Sequence, residues 1–308
     1  MSVTVVGSLN EDVLVAVDRL PARGETVIGR SAVLAPGGKG ANQAAAAGLL
    51  GPGVHMVGRV GEDPAGDRQL AALAGSRVDV SRVRRTPGLP TGSATIPVEE
   101  GTGENLIVVV PGANAELSPA DVDVEPVRRA DVLLLQLEVP MDAVHGAAAA
   151  AGGRVVLTPA PPRPLSEELL ALVDVLVPNE HELVQLTGAA AGERTPAELA
   201  ALARRISGPV VVVTLGARGA LLVRRDGSPA LLQAPPPVAA VDTTGAGDCF
   251  CGALAQALAT GRDLPAAVRF AVTAAALSTT GPGARGALPD AEAVEALLPR
   301  VPAAEPVG

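Results

Sequence analysis

Short, wholly apolar runs alternate along much of this chain with stretches that carry one apolar face. Val3 to Val6 is such a run and ends in Gly7-Ser8-Leu9-Asn10, the pattern of a strand covered on both faces that passes into a loop. Asp131 to Leu137, Val155 to Thr158, Val173 to Val177 and Val210 to Thr214 repeat it. Between them Met141 to Ala151, Ser166 to Leu172 and Pro196 to Ile206 predict helices, and Val54 to Val60 adds a strand before a helix from Asp63-Pro64 to about Ala74. Strands alternating with helices predict an α/β fold with a parallel sheet covered on both faces.

A second pattern does not fit that sheet. Asp12 to Asp18 alternates strictly, with Val13, Val15 and Val17 on one face, so it predicts a half-exposed strand. Thr26 to Leu34 reads the same way, and Thr91 to Val98 with Asn105 to Val110 predicts a hairpin around Glu100-Gly101-Thr102-Gly103. Strands near 12–18, 26–34, 91–98 and 105–110 are therefore expected to form a small accessory sheet inserted in one domain spanning 1–298. Pro235-Pro236-Pro237 is a connector, and 299–308 is expected to be a frayed tail.

Composition narrows the partners. Hydrophobic residues make up 48% of the 308, yet Trp and Tyr are absent and the aromatics are Phe250 and Phe270 alone. The core must be built of Val, Leu and Ala, and no aromatic platform exists for stacking single-stranded nucleic acid. A formal net charge of -9 with no basic block argues against nucleic acid and anionic membrane as partners. Cys249 and Cys251 lie too close on one predicted helix to bridge. With no membrane-length apolar segment and a strand at the N-terminus, a cytoplasmic protein is the expectation.

The chemistry gathers where glycine-rich turns open helices. Val241-Asp242-Thr243-Thr244-Gly245-Ala246-Gly247-Asp248 leads into a helix whose Phe250, Leu254 and Leu258 form one buried stripe. The N–H groups of Gly245, Ala246 and Gly247 at that helix start suit an anion. Asp248 in the first turn reads plainly as a dipole partner. The sharper reading makes it the base that takes a proton from a hydroxyl attacking a phosphoryl group held by those amides. A second loop, Pro36-Gly37-Gly38-Lys39-Gly40-Ala41-Asn42-Gln43, opens an alanine-rich helix to about Leu50.

Polar residues also mark the strand ends, where parallel sheets collect ligands. Asn10 and Asp12, read alone as turn residues, join the second loop in offering a carboxylate, amides and backbone donors suited to a polyol. Glu138 follows a strongly apolar strand and needs a partner or a site. Asn179 and Glu182 suit Mg²⁺ held through water, or else a helix cap followed by a surface carboxylate. Several chemistries are excluded: position 250 is Phe where a dinucleotide fingerprint needs a third glycine, and Val33 and Gly40 break a Walker loop. His181-Glu182 lacks the second zinc histidine because position 185 is Gln185, histidines 55, 145 and 181 are scattered, and no serine has the flanking glycines of a nucleophile elbow.

Asn10-Glu11-Asp12, Gly37-Gly38-Lys39-Gly40-Ala41-Asn42-Gln43-Ala44, Gln136-Leu137-Glu138, Pro178-Asn179-Glu180, Thr214-Leu215-Gly216 and Asp242 to Asp248 occur in the order found in PfkB-type carbohydrate kinases. Across roughly Val3 to Leu298 the chain resembles that family, and the second loop with Leu135-Gln136-Leu137-Glu138 points to its ribokinase branch. The resemblance implies a ribokinase-like three-layer α/β/α sandwich with a mostly parallel central sheet and a small β-sheet lid, which closes on the sugar and joins a homodimer. It implies ATP-dependent phosphorylation of D-ribose at the 5-hydroxyl, with Asp248 as base and Gly245, Ala246 and Gly247 as the anion hole. Asn10, Glu11, Asp12, Gly38, Lys39, Gly40, Ala41, Asn42 and Glu138 are the implied sugar residues. Asn179, Thr214, Leu215, Gly216, Ala217, Arg218, Gly219, Gly247, Asp248 and Val272 are the implied ATP residues, with Mg²⁺ near Glu182 through water. A monovalent cation, K⁺ in the family, is implied at Asp242, Thr244, Ser278, Gly281 and Gly283, while Ala287 lacks the oxygen that a further ligand position carries. A kinase of another sugar or of a nucleoside, and a non-catalytic sugar-sensing protein on this scaffold, stay open as alternatives.

Overall fold

The computed structural model describes residues 1–307. The chain begins with β1 (Val3–Val6), β2 (Asn10–Val17), β3 (Gly29–Gly37), α1 (Lys39–Leu50), β4 (Val54–Gly61), α2 (Pro64–Gly75), β5 (Val78–Thr86), β6 (Gly92–Glu99) and β7 (Val108–Val110). Two one-turn helices, α3 (Pro119–Val122) and α4 (Glu125–Arg128), lead to β8 (Val132–Leu135), α5 (Met141–Ala150), β9 (Arg154–Leu157), α6 (Glu167–Leu172) and β10 (Val175–Leu176). The last part runs α7 (Glu180–Thr187), α8 (Pro196–Ala203), β11 (Val210–Thr214), β12 (Ala220–Val223), β13 (Ala230–Gln233), α9 (Ala246–Ala259), α10 (Leu264–Ser278), α11 (Ala291–Leu297) and β14 (Glu305–Val307).

Ten strands form the main sheet in the order β14-β13-β12-β11-β10-β9-β8-β1-β4-β5, parallel from β11 through β5 and antiparallel at the β12–β14 end. The apolar strands serve both faces by alternation. Val5, Leu134, Val156 and Val212 face a core shared with α1, α9 and α10, while Val6, Leu133, Leu135, Val155 and Leu157 face a second core under α5 and α6. With Phe250 and Phe270 its only aromatics, that first layer is built mostly of Ala, Val and Leu and depends on close approach: a Cβ at Gly252 of α9 would lie 2.4 Å from the Gln43 carbonyl of α1. The two glycine-opened helices are thereby pressed together, and their N-termini converge over the carboxyl ends of the strands.

The accessory strands pair as β3-β2-β6-β7. The third layer and the lid are thus as expected, but several boundaries move. The strand read at 26–34 lies at Gly29–Gly37, the one at 105–110 narrows to Val108–Val110, and the strand at 173–177 narrows to two residues. β5 was invisible to the pattern because its ladder with β4 shifts register between His55 and Val57, so Val78 and Val80 fall out of phase with Val83. The tail is corrected most: residues 305–307 pair antiparallel with β13, and Gln233 Nε2 donates to the Pro302 carbonyl at 3.0 Å. A strand edge with free backbone groups captures even a Pro-containing segment when that segment is its edge partner.

Candidate active site

Asp248 lies on the first turn of α9, capped by Gly245 in the left-handed conformation (φ 73°). A Cβ there would meet Ala284 Cα at 2.8 Å, so the turn closes only on glycine. Of the loop amides, that of Ala246 is turned onto the Thr243 carbonyl at 3.2 Å, and those of Gly245 and Gly247 have no protein acceptor. Asp248 itself is buried, with Oδ2 accepting from Asn42 Nδ2 at 3.1 Å and Oδ1 from Gln43 Nε2 at 3.1 Å. Burial pushes its carboxyl above the usual carboxylate range against the pull of the Lys39 charge and the two amide donors. An in-line proton transfer needs no such elevation, which comes chiefly from enclosure and in smaller part from the negative charge of Glu138.

The second loop supplies the opposite wall. Gly38 (φ 86°) starts α1, and a Cβ on it would lie 2.7 Å from the Asn10 nitrogen. Glu138 is answered by both a partner and a site: its Oε2 accepts from Ser8 Oγ at 2.5 Å and from the Lys39 amide at 3.1 Å, at the pocket floor. Burial works to lower the Lys39 ammonium, but Asp248, Glu138 and Glu182 outweigh it, and the group lies above its usual value. Gly40 and Ala41 are buried, and their amides bond Ser8 Oγ and the Ser8 carbonyl, so they shape the loop from beneath.

The lid strand β2 brings Asn10 and Asp12 to one face and, by alternation, turns Glu11 to the other, where its carboxylate pairs with Arg68 of α2 at 2.5 Å. Asn10 Oδ1 accepts from Asn114 Nδ2 at 2.8 Å, and its carbonyl accepts from Gln69. Asp12 has no hydrogen-bond donor from the protein, and burial, with Glu138 nearby, lifts it from 3.8 to about 6.

Five residues to which the motifs gave no role complete the pocket. Gln43 was read only as part of the loop. Gln136 Nε2 donates to Gln43 Oε1 at 2.6 Å, behind the base. Asn114 and Gln69 hold Asn10, and Arg285 reaches in from the loop after α10 to donate through Nε to Asn42 Oδ1 at 2.8 Å. Gln69, Asn114 and Arg285 are lone polar residues outside the glycine loops in sequence, and Arg285 sits in Gly283-Ala284-Arg285-Gly286, which reads as an ordinary turn.

The other implied groups lie along neighbouring strand ends. Asn179 and Glu182 form a reciprocal helix cap: Asn179 N and Nδ2 donate to Glu182 at 2.8 and 2.9 Å, and Glu182 N returns a bond to Asn179 Oδ1 at 2.8 Å. Glu182 is thus buried rather than a surface carboxylate, and burial raises its carboxyl. Thr214 ends β11 in a bridge to Asn179, and the turn Gly216–Arg218 follows Leu215, with Ala217 exposed, Arg218 paired to Glu180 at 2.5 Å and Gly219 against Gln233. Val272 is 3% exposed in the core, which leaves it little surface for a base.

Asp242 links the two loops beside the anion hole, accepting from the Thr244 amide at 2.9 Å and from the Gly283 amide at 2.8 Å. Of the other residues implied for a monovalent cation, Ser278 ends α10 and turns its hydroxyl to the Ala275 carbonyl at 2.8 Å, and Gly281 follows in the loop that carries Gly283. Ala287 offers only a methyl group, 2.9 Å from where a Gly281 Cβ would stand. For a divalent ion the described residues hold no cluster of three His, Cys, Asp or Glu. Glu182, occupied by its cap, has lone pairs left only for water.

Known proteins resemble the chain over nearly its whole length. Residues 1–291 match the pfkB family of carbohydrate kinases. The chain is 40% identical to a ribokinase of Bacillus subtilis (strain 168), covering 96% of this chain and 99% of that protein. The fold is similar to a ribokinase of Thermotoga maritima (TM-score 0.88, 36% identity, covering 97% of this chain and 99% of that one). It is also similar to the Arabidopsis thaliana ribokinase solved with ribose and ATP (TM-score 0.86, 37% identity, covering 96% and 98%). Two glycine-opened helices converging on a buried acid, in a chain so matched from end to end, establish that it belongs to the pfkB family of carbohydrate kinases.

Proposed function

We propose that the chain transfers the γ-phosphoryl group of ATP to the 5-hydroxyl of D-ribose. The observation that carries this reading is the meeting, at one point, of a buried carboxylate, a helix N-terminus with free amides, and a pocket of carboxylates, amides and an ammonium. A sugar fits the pocket because its hydroxyls both donate and accept. Asp12 and Glu138 accept, while Lys39 and Asn42 donate. A nucleoside would find no aromatic face to stack on, since Phe250 and Phe270 are both in the core.

In the reaction the sugar alcohol lies against Asp248, which takes its proton as the oxygen attacks phosphorus. Gly245 and Gly247 amides and the α9 dipole stabilise charge that builds on the transferring oxygens. Asn42 and Gln43 hold the carboxylate of Asp248 with an acceptor oxygen toward the alcohol. The strand ends at Asn179 and Thr214–Gly219 receive the nucleotide. Glu182 would hold Mg²⁺ through water, and the ion would neutralise charge on the phosphates when bound. A monovalent cation held by Asp242, Thr244, Ser278, Gly281 and Gly283 would fix the loop that carries the amides.

The lid sheet also presents apolar side chains outward, with Val108 61%, Val33 57% and Leu34 55% exposed. An exposed apolar face of this kind would be covered by a second lid, and it supports a homodimer as the reading. No helix among the described residues is long and apolar enough to cross a membrane.

ADP release measured over ribose, 2-deoxyribose, fructose and adenosine, with and without K⁺, tests the reading. Ribose should give the highest kcat/KM, and Asp248→Asn should cut turnover by about 10²-fold or more, the scale of a lost positioned base, while ribose still binds. Near-normal turnover of that variant, or a preference for adenosine, would overturn the assignment.

A further inference from the structure

Arg285 is not accounted for by any step above. It lies on the loop packed over the anion turn, since Ala284 is the residue a Gly245 Cβ would strike. Yet its side chain leaves that loop for the sugar pocket. Nε donates to Asn42 Oδ1 at 2.8 Å, and Nη2 approaches the Gly37 carbonyl at 3.3 Å and Gln69 Oε1 at 3.4 Å. Nη1 is buried and has no hydrogen-bond partner. A guanidinium N–H shut away from water without an acceptor is costly and rarely kept without a reason.

The complementary group is close by. The Asp12 carboxylate, which no protein donor satisfies, stands against Gly37, 2.0 Å from where a Cβ on that residue would lie, and Gly37 is the residue whose carbonyl Arg285 Nη2 approaches at 3.3 Å. An acceptor without a donor stands beside a donor without an acceptor. A hydroxyl answers both, giving its proton to the carboxylate and taking the N–H on its oxygen. A methylene in the same place answers neither.

We propose that Arg285 is a specificity-determining residue that, with Asp12, reads one ring hydroxyl of the bound sugar. The inference rests on the sugar-kinase reading of the site and adds to it a residue outside its sequence motifs. Asn42 gains as well: with Oδ1 engaged by Nε, its amide can turn only Nδ2 toward Asp248.

The test uses the full-length protein and the variants Arg285→Met and Arg285→Lys, with ribose, 2-deoxyribose and 3-deoxyribose as the sugars. Phosphorylation kinetics are paired with calorimetric binding of each sugar. A hydrogen bond from a charged donor corresponds to roughly 10- to 100-fold in an equilibrium. Arg285→Met should therefore lower kcat/KM for ribose by about 10- to 100-fold, mostly through KM. It should leave the sugar lacking the contacted hydroxyl within about threefold of its wild-type value, so that discrimination between the two collapses. Arg285→Lys should restore part of it. Equal losses on all three sugars, or no loss on any, would overturn the proposal. If wild-type protein binds ribose but fails to phosphorylate it, the kinase reading falls while the calorimetric comparison still decides on Arg285. Should wild-type protein not bind ribose at all, both fall together.

Discussion

Replacing Gln43 with Leu is a direct probe of how the base is held. Gln43 is fully buried, and its Nε2 donates to Asp248 Oδ1 at 3.1 Å. Leucine keeps much of the volume and removes the donor, leaving Asn42 and the Lys39 charge to stabilise the ionised form. A hydrogen bond to a charged group contributes about 1.5–3 kcal/mol, and about 1.4 kcal/mol is tenfold in a proton equilibrium. Losing it should move the acid limb of the kcat profile about one to two pH units toward neutrality. The plateau at higher pH should fall much less, because the carboxylate is still present once ionised.

The assay is ADP release at saturating sugar and nucleotide from pH 5 to 9, wild type beside variant, so that titration of ATP itself cancels. Thermal unfolding adds a readout with a defined sign. Asp248 is raised in the fold, so its contribution to stability is full below the unfolded value and is lost as pH rises through the folded one. A variant that raises it further should show a Tm deficit that widens as the pH climbs through that range. Gln136 loses an acceptor in the same variant, which lowers Tm at every pH and does not alter this trend. An unmoved acid limb with a collapsed plateau would refute the reasoning, because it would mean Gln43 shapes the pocket without acting on the proton of Asp248.

Other expectations follow from the same geometry. Asp12 sits at about 6 against an ordinary 3.8, so its contribution to stability is full below the lower value and lost as pH rises through the higher. Asp12→Asn should therefore raise stability at pH 8 by about 1–3 kcal/mol, leave it little changed at pH 4, and weaken ribose binding at least about tenfold; denaturant melts at the two pH values and calorimetry check both halves. Gly245→Ala places a side chain in a left-handed turn 2.8 Å from Ala284 Cα, so about 1–3 kcal/mol of strain should appear as a lower Tm together with a loss of kcat, and wild-type kinetics would show that the turn tolerates a Cβ.

How much of this was legible beforehand depends on how the chain carries each feature. The parallel sheet was readable because each central strand is a contiguous apolar run, and the two loops because glycines and their polar neighbours are adjacent in sequence. The antiparallel end of the sheet was not, since Ala220–Val223 and Ala230–Gln233 are short and flank turn residues, and Glu305–Val307 has almost no strand propensity of its own. Within the site, Asp248 stood out as an acid opening a helix after a glycine turn, and Glu138 as an acid following an apolar strand. Arg285 could not, because what makes it unusual is its contact with Asn42, 243 positions away, a distance that only the fold removes.

The charge balance of the pocket explains why the neutral donors matter so much. Asp12, Glu138, Glu182 and Asp248 face two cations, Lys39 and Arg285, in a chain that already carries a net charge of -9. A triphosphate approaching such a site meets repulsion from side chains, so its binding must rest on main-chain amides at the start of α9 and on the cations that travel with it. The acids in turn are costly to enclose unless something donates to them, and Asp12 has no protein donor. A sugar supplies hydroxyl donors to that enclosure, whereas water entering alone would supply them at the expense of leaving the site open to hydrolysis. The placement of an unsatisfied acid on the lid strand, opposite a base fixed in the sheet layer, thus makes a well-formed pocket depend on the presence of the alcohol that is to be phosphorylated.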